Sequence, residues 1–183
     1  MRLRNILILL VILLALGGYF YYTTRPQPPL KPDPKLYAWL IEMEEIEHIE
    51  IRLPRENQSQ AFIKEEDRSW HFDDPERSAV DMQRWGGGIT LLLSGPGIER
   101  VITENATEEQ LTEFGLTQPQ MEIILALEDE SILNITVGDR TPNGIAFYVR
   151  VPNSNAVCLV DYTWFEVLER LVKEPPYAPA SEE

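Results

Sequence analysis

The sequence predicts an α+β protein. It reads as one antiparallel, β-sheet-rich domain with about three helices, placed after an N-terminal transmembrane helix. Three observations predict this. Residues 6–22 hold no charge and are almost wholly apolar. Further on, several short stretches alternate apolar and polar residues with the two-residue period of a half-buried strand. Between and after those stretches, apolar residues recur at helical spacing behind capping signals.

Ile6 to Tyr22 comprises 17 residues. As a helix it would rise about 26 Å, near the short end of a bilayer span. Arg2 and Arg4 precede it and no acid lies close by. The positive-inside rule then keeps the N-terminus in the cytoplasm and sends the remainder out of it. Tyr19, Phe20, Tyr21 and Tyr22 fall at the far end, where amphipathic rings favour the headgroups. A cleaved signal peptide is the competing reading, with Ala15-Leu16-Gly17 as its small-x-small site. The apolar run continues past that site through four aromatics, so residues 1–22 read as a retained, single-pass anchor in the cell membrane, with residues 6–22 in lipid. Residues 23–35 form a linker. Its part from 26 on is proline-rich, an extended spacer of about 3.1 Å per residue that reaches roughly 30 Å at most.

The extracytoplasmic domain runs from 36 to 176, with an acidic tail over 177–183. In Leu36 to Ile41, residues Tyr37, Trp39 and Ile41 alternate, which suits a first edge strand. The same three residues are the candidate partner contact, because they directly follow the spacer. Ile49, Ile51 and Leu53 alternate with His48, Glu50 and Arg52, a half-buried strand. Gln60 to Glu66 and Ser69 to Asp73 read as the next two strands, with Trp70 and Phe72 on one face. Met82, Trp85, Ile89, Leu92 and Leu93 then follow Asp81 at helical spacing. Gly86, Gly87 and Gly88 interrupt that helix at about 1 kcal/mol each relative to alanine, so a kink or a close packing contact is expected there. Ile98 to Thr103 is a strand. Thr107 to Gly115 is a short helix with a Thr107–Gln110 capping box and Gly115 in the left-handed position after its end. Met121 to Leu127, Leu133 to Val137, Ile145 to Val151 and Ala156 to Val160 form a meander of strands. A last helix begins after Asp161, carries Trp164, Leu168, Leu171 and Val172 on one face, and stops at Pro175-Pro176.

The chain of 183 residues has a net charge of −14, and the first 25 residues contribute only arginines, so the rest carries −17. A surface of that sign repels phosphate backbones and excludes nucleic acid as a partner. With one cysteine, Cys158, no disulfide can form within the chain. Val157-Cys158-Leu159-Val160 reads as a buried strand, which makes Cys158 a packing residue. His48 and His71 are the only histidines, too few for a zinc site beside a single thiol. Asp73, Asp74, Glu76 and Asp81 are the densest carboxylates beside a loop, yet they lack the spacing and central glycine of a calcium loop. No Gly-x-Ser-x-Gly elbow occurs. The glycine run lacks the Lys-Ser/Thr that a phosphate loop needs. On these grounds no catalytic, cofactor-binding or metal residue is assigned and no cofactor is expected. The turn-rich stretch 138–144 reads as structural, with glycines chosen for backbone geometry.

Taken in order, several short features resemble a bacterial family known as domain of unknown function 4340. They are the Arg-flanked anchor and proline spacer, Trp70 with Asp81 and Trp85, then Phe114-Gly115-Leu116 with Pro119. Gly138-Asp139 with Thr141-Pro142 and Gly144 follow, then Tyr148, Val160-Asp161, and Leu171-Val172 with Pro175-Pro176. Longer members of the family carry more than one copy of the domain. Some relatives are accessory proteins encoded beside gliding-type ABC transporters. The resemblance therefore implies an ABC transporter as a partner, and it brings no catalytic residues. The expected function is that of a non-enzymatic, membrane-anchored envelope protein serving as a binding or accessory subunit of a membrane complex. The alternative is an extracytoplasmic small-ligand-binding or hydrolytic domain with its site near Gly86–Gly88 or the 138–144 loop.

Overall fold

The computed structural model describes residues 3–23, 36–85 and 88–179. Most of the expected spacer (from residue 24), Gly86 and Gly87 of the glycine run, and the last four residues of the tail lie outside the described residues. The chain divides into two compact units, Met1–Pro34 and Lys35–Glu183. The first holds helix α1 (Leu3–Thr23). Its side chains are described at 6–8 and 10–22, and among the described residues no helix is long and apolar enough to cross a membrane. Leu7, Leu13, Leu14 and Leu16 on this helix are 62–70% exposed.

The second unit is an α+β fold built on one antiparallel sheet. Its strands are β1 (Ile46–Leu53), β2 (Gln58–Lys64), β3 (Trp70–Phe72), β4 (Ile98–Thr103), β5 (Met121–Leu127), β6 (Ile132–Arg140), β7 (Ala146–Arg150) and β8 (Val157–Asp161). The helices are α2 (Met82–Trp85), α3 (Ile89–Ser94), α4 (Glu108–Glu113) and α5 (Tyr162–Lys173). The strand order is β3-β2-β1-β5-β6-β7-β8-β4. Two runs of sequential antiparallel strands, β1 to β3 and β5 to β8, join where β1 pairs with β5, Ile51 opposite Ile123. Strand β4 is added last, beside β8.

Alternation along the strands sorts the sheet into two faces. Ile49, Ile51, Phe62, Ile123, Leu125, Ile135, Val149 and Cys158 are buried on the inner face. Helix α5 packs on this face with Trp164, Phe165, Leu168, Leu171 and Val172 buried, the spacing of one helical stripe. Trp85 closes the β1–β3 end, its ring 4.7 Å from Phe62 and 5.6 Å from Trp70. On the opposite face, α4 covers β7 and β8 through Ala106, Leu111, Leu116 and Val157, joined by Ile102, Phe114 and Tyr148.

Three expectations change. The helix expected from residue 82 through 93 is two short helices on either side of the glycine run, as three consecutive glycines would impose. Met82, expected on the apolar stripe, is 55% exposed. Residues 36–41 form no strand. Tyr37 makes a single bridge with Gly97, and Ala38 donates to the Pro96 carbonyl at 3.1 Å. Pro96 has no N–H to offer in return. The chain then follows the α3–β4 connection, with Ile41 N–H donating to the Ser94 carbonyl at 2.8 Å.

Candidate functional site

The motifs after residue 110 converge on one knot. The capping box at the start of α4 is present, with Thr107 and Gln110 each bonding the other's backbone N–H. At the other end Gly115 has φ +71°, and the Asp139 carboxylate lies where a Cβ on Gly115 would be. Asp139 N–H donates to the Phe114 carbonyl at 2.8 Å. Its carboxylate accepts from Arg55 Nη2 at 2.8 Å and from Gln120 Nε2 at 3.1 Å. Gly138 lies so close to Phe114 that a Cβ there would run into the carbonyl oxygen. Phe114 in turn stacks on Tyr148, with centroids 4.6 Å apart. Next to this contact the turn 141–144 closes on buried Thr141, whose hydroxyl lies 2.7 Å from Asn143 Oδ1 and 3.0 Å from the Ala146 carbonyl. Gly144 has φ +74°. These residues dock α4 onto a bulge in β6. Their bonds are spent inside the fold.

Three of the four carboxylates of 73–81, those of Asp73, Asp74 and Asp81, are spent in the same way. Asp73 pairs with His48 at 3.0 Å and with Arg77 at 2.8 Å. Asp74 accepts from Ser78 N–H at 3.0 Å, which holds its pKa below the ordinary value. Asp81 caps α2 through the N–H groups of Gln83 and Arg84. Among the described residues no group of three or more His, Cys, Asp or Glu could hold a metal ion. Cys158 is buried, and burial pushes its thiol up to about 12, so the thiolate is absent at neutral pH.

A different surface remains open. Tyr37, Leu40, Leu91, Leu92, Pro96 and Trp164 line a groove of about 470 Å³. Tyr37 is 44% exposed, Leu91 61% and Leu40 73%, with Leu36 beside them at 56%. Several large apolar side chains exposed around one groove are a feature of interaction surfaces rather than of plain solvated ones. Asp161 is the one charged lining residue, and its carboxylate caps α5 through Thr163. Gly95 lets the two walls approach, since a Cβ there would lie 2.7 Å from the Trp39 carbonyl and 2.9 Å from Leu40 Cδ2.

The three candidate contact residues divide here. Tyr37 faces the groove. Trp39 turns inward, donating its indole N–H to the Leu93 carbonyl at 2.8 Å and meeting Trp164 edge-on at 6.3 Å. Ile41 is half-buried against the core. Leu40 and Leu91, which sequence reasoning did not single out, are the exposed groove residues. The exposure of Leu91 depends on how α3 lies, which no local pattern discloses.

Residues 89–174 match the model of the family described as "Domain of unknown function (DUF4340)". No curated protein and no solved structure matches the chain. The matched stretch runs from the start of α3 through the end of α5 and contains the α4–β6 knot and one wall of the groove. Trp70, Asp81 and Trp85 precede it.

Proposed function

For a chain whose residues 89–174 match the model of the domain of unknown function 4340, we propose the role of a membrane-anchored, non-enzymatic binding subunit of an envelope membrane complex. The groove of Tyr37, Leu40 and Leu91 is its contact surface. The observation that carries this reading is the position of the groove in the chain. Its first wall is made by the residues that follow the N-terminal unit, so a partner held in the membrane is the one that the tether brings within reach. Tethering raises effective concentration, and a small apolar contact then suffices. An ABC transporter is the instance that the family resemblance implies.

The anchor reading rests on the sequence, in which residues 6–22 are uncharged and follow Arg2 and Arg4. The non-enzymatic reading is supported by Asp73, Asp74, Asp81, the thiol and the 138–144 loop, which hold the fold together.

The test has two arms. Reporter fusions after Lys35 are to be active outside the cytoplasm, and carbonate washing is to leave the protein in membranes. A shortened soluble product would remove the anchor from the account. Purification in mild detergent is then to recover a membrane protein with the wild type and lose it with Leu40→Asp/Leu91→Asp. Equal recovery with both proteins would overturn the groove assignment.

A further inference from the structure

We propose that the polar pocket between β6 and the β7–β8 turn binds the carboxylate of a small polar molecule. The pocket measures about 430 Å³, and Asn134, Thr136, Arg150, Asn153 and Asn155 contribute to its lining. The inference stands apart from the groove.

Arg150 is half-buried at the end of β7. Its Nε donates to the Ser154 carbonyl at 3.0 Å and its Nη2 to Asn155 Oδ1 at 2.6 Å. These bonds use two of the five guanidinium N–H groups. They fix the side chain through neutral acceptors, which leave its charge uncompensated. Among the described residues none of the ion pairs includes Arg150. The closest acid by register is Glu122, opposite Thr136 on the neighbouring strand. A chain of net charge −14 thus holds a prearranged cation over a polar hollow.

Asn134 is the second observation. It sits in the middle of β6, opposite Ile124, in a strand position that asparagine disfavours. Among the described residues its side chain makes no hydrogen bond, whereas Asn143 and Asn155 each hold a turn together. The side chain is exposed on β6, so its amide is open to a ligand. Thr136, two residues on and therefore on the same face, adds a hydroxyl.

The donor set selects the ligand class. Guanidinium, amide and hydroxyl groups together match the oxygens of one carboxylate, and the amide oxygens can accept from a hydroxyl or N–H on the same molecule. No aromatic ring lines the pocket, so a neutral sugar has no stacking platform. One cation is too little for a polyphosphate. A peptide C-terminus and a sugar acid present the same chemistry.

The experiment uses the full chain in detergent micelles, isotope-labelled at asparagine side chains. It is titrated separately with N-acetyl-glycyl-glycine, with glucuronate, and with the methyl ester of each. The Asn134 amide signals are expected to move saturably with at least one acid and with neither ester, and the stronger acid identifies the source. Asn134→Leu, which leaves the turn untouched, should weaken the response of the Asn155 amide about tenfold, and Arg150→Gln should remove binding. Three results would each overturn the proposal: no saturable shift up to tens of millimolar, equal shifts with acid and ester, or unchanged affinity in Asn134→Leu.

Discussion

Gly138, at the bulge in β6, and Gly144, in the turn that follows it, do different work. Gly138 is a matter of space: an added methyl would meet the Phe114 carbonyl and push α4 off the sheet. Gly144 is a matter of backbone, with φ +74° and open room around it. Gly138→Ala should therefore cost about 1–3 kcal/mol through overpacking, read from denaturant unfolding. Gly144→Val should lower the melting temperature through strain in the left-handed region. If both variants unfold like the wild type, the bulge and turn are not the structural knot described above. Cys158 gives a second prediction at this scale. With its folded pKa at about 12 and an unfolded value near 8.5, the thiol keeps its proton in the native state while the unfolded chain loses it. Its contribution to stability is thus present below pH ~8.5 and is lost as pH rises toward ~12. A thiol reagent at neutral pH should label Cys158 only after unfolding. Fast labelling of the native protein would contradict the burial.

Elements whose signals are local were legible in the sequence. The reciprocal Thr107–Gln110 box and the Asp161 carboxylate that accepts from Thr163 are bonds within one turn of helix, and both helices start where those residues fall. The α5 stripe follows from period alone. Illegible were features decided by a distant neighbour. Tyr37, Trp39 and Ile41 alternate as a strand would, but the Trp39 indole is claimed by the Leu93 carbonyl, and Pro96 offers no N–H to extend the pairing. Met82 fits the α2–α3 stripe only if the helix continues through the glycines. The pairing of β1 with β5 joins residues about seventy positions apart, for which no short motif exists. Packing separates the two kinds of apolar residue in this region. Leu168 on α5 is fully buried, so Leu168→Ala should cost about 2–5 kcal/mol. Leu40 is 73% exposed, and Leu40→Ser should shift stability by about 0.5 kcal/mol or less. A large loss from Leu40→Ser would mean that the groove is core rather than contact.

At the scale of the whole molecule the proposal joins two features: an apolar N-terminal helix and an apolar groove whose first wall is made by the first described residues of the second unit. The charge of the remainder, −17 beyond residue 25, opposes lying flat on anionic lipid and favours a protein as the occupant of the groove. The outer face of the sheet supplies a control, because Ile132 is 57% exposed and lies on β6, outside the groove lining. Photo-crosslinking in intact cells, with the probe placed in turn at Leu40, Leu91 and Ile132, tests the central claim most directly. The account predicts one membrane-protein adduct shared by Leu40 and Leu91, absent at Ile132, and lost from the Leu91 probe when Leu40 is changed to aspartate. No adduct at either groove position, or the same adduct from Ile132, would contradict it.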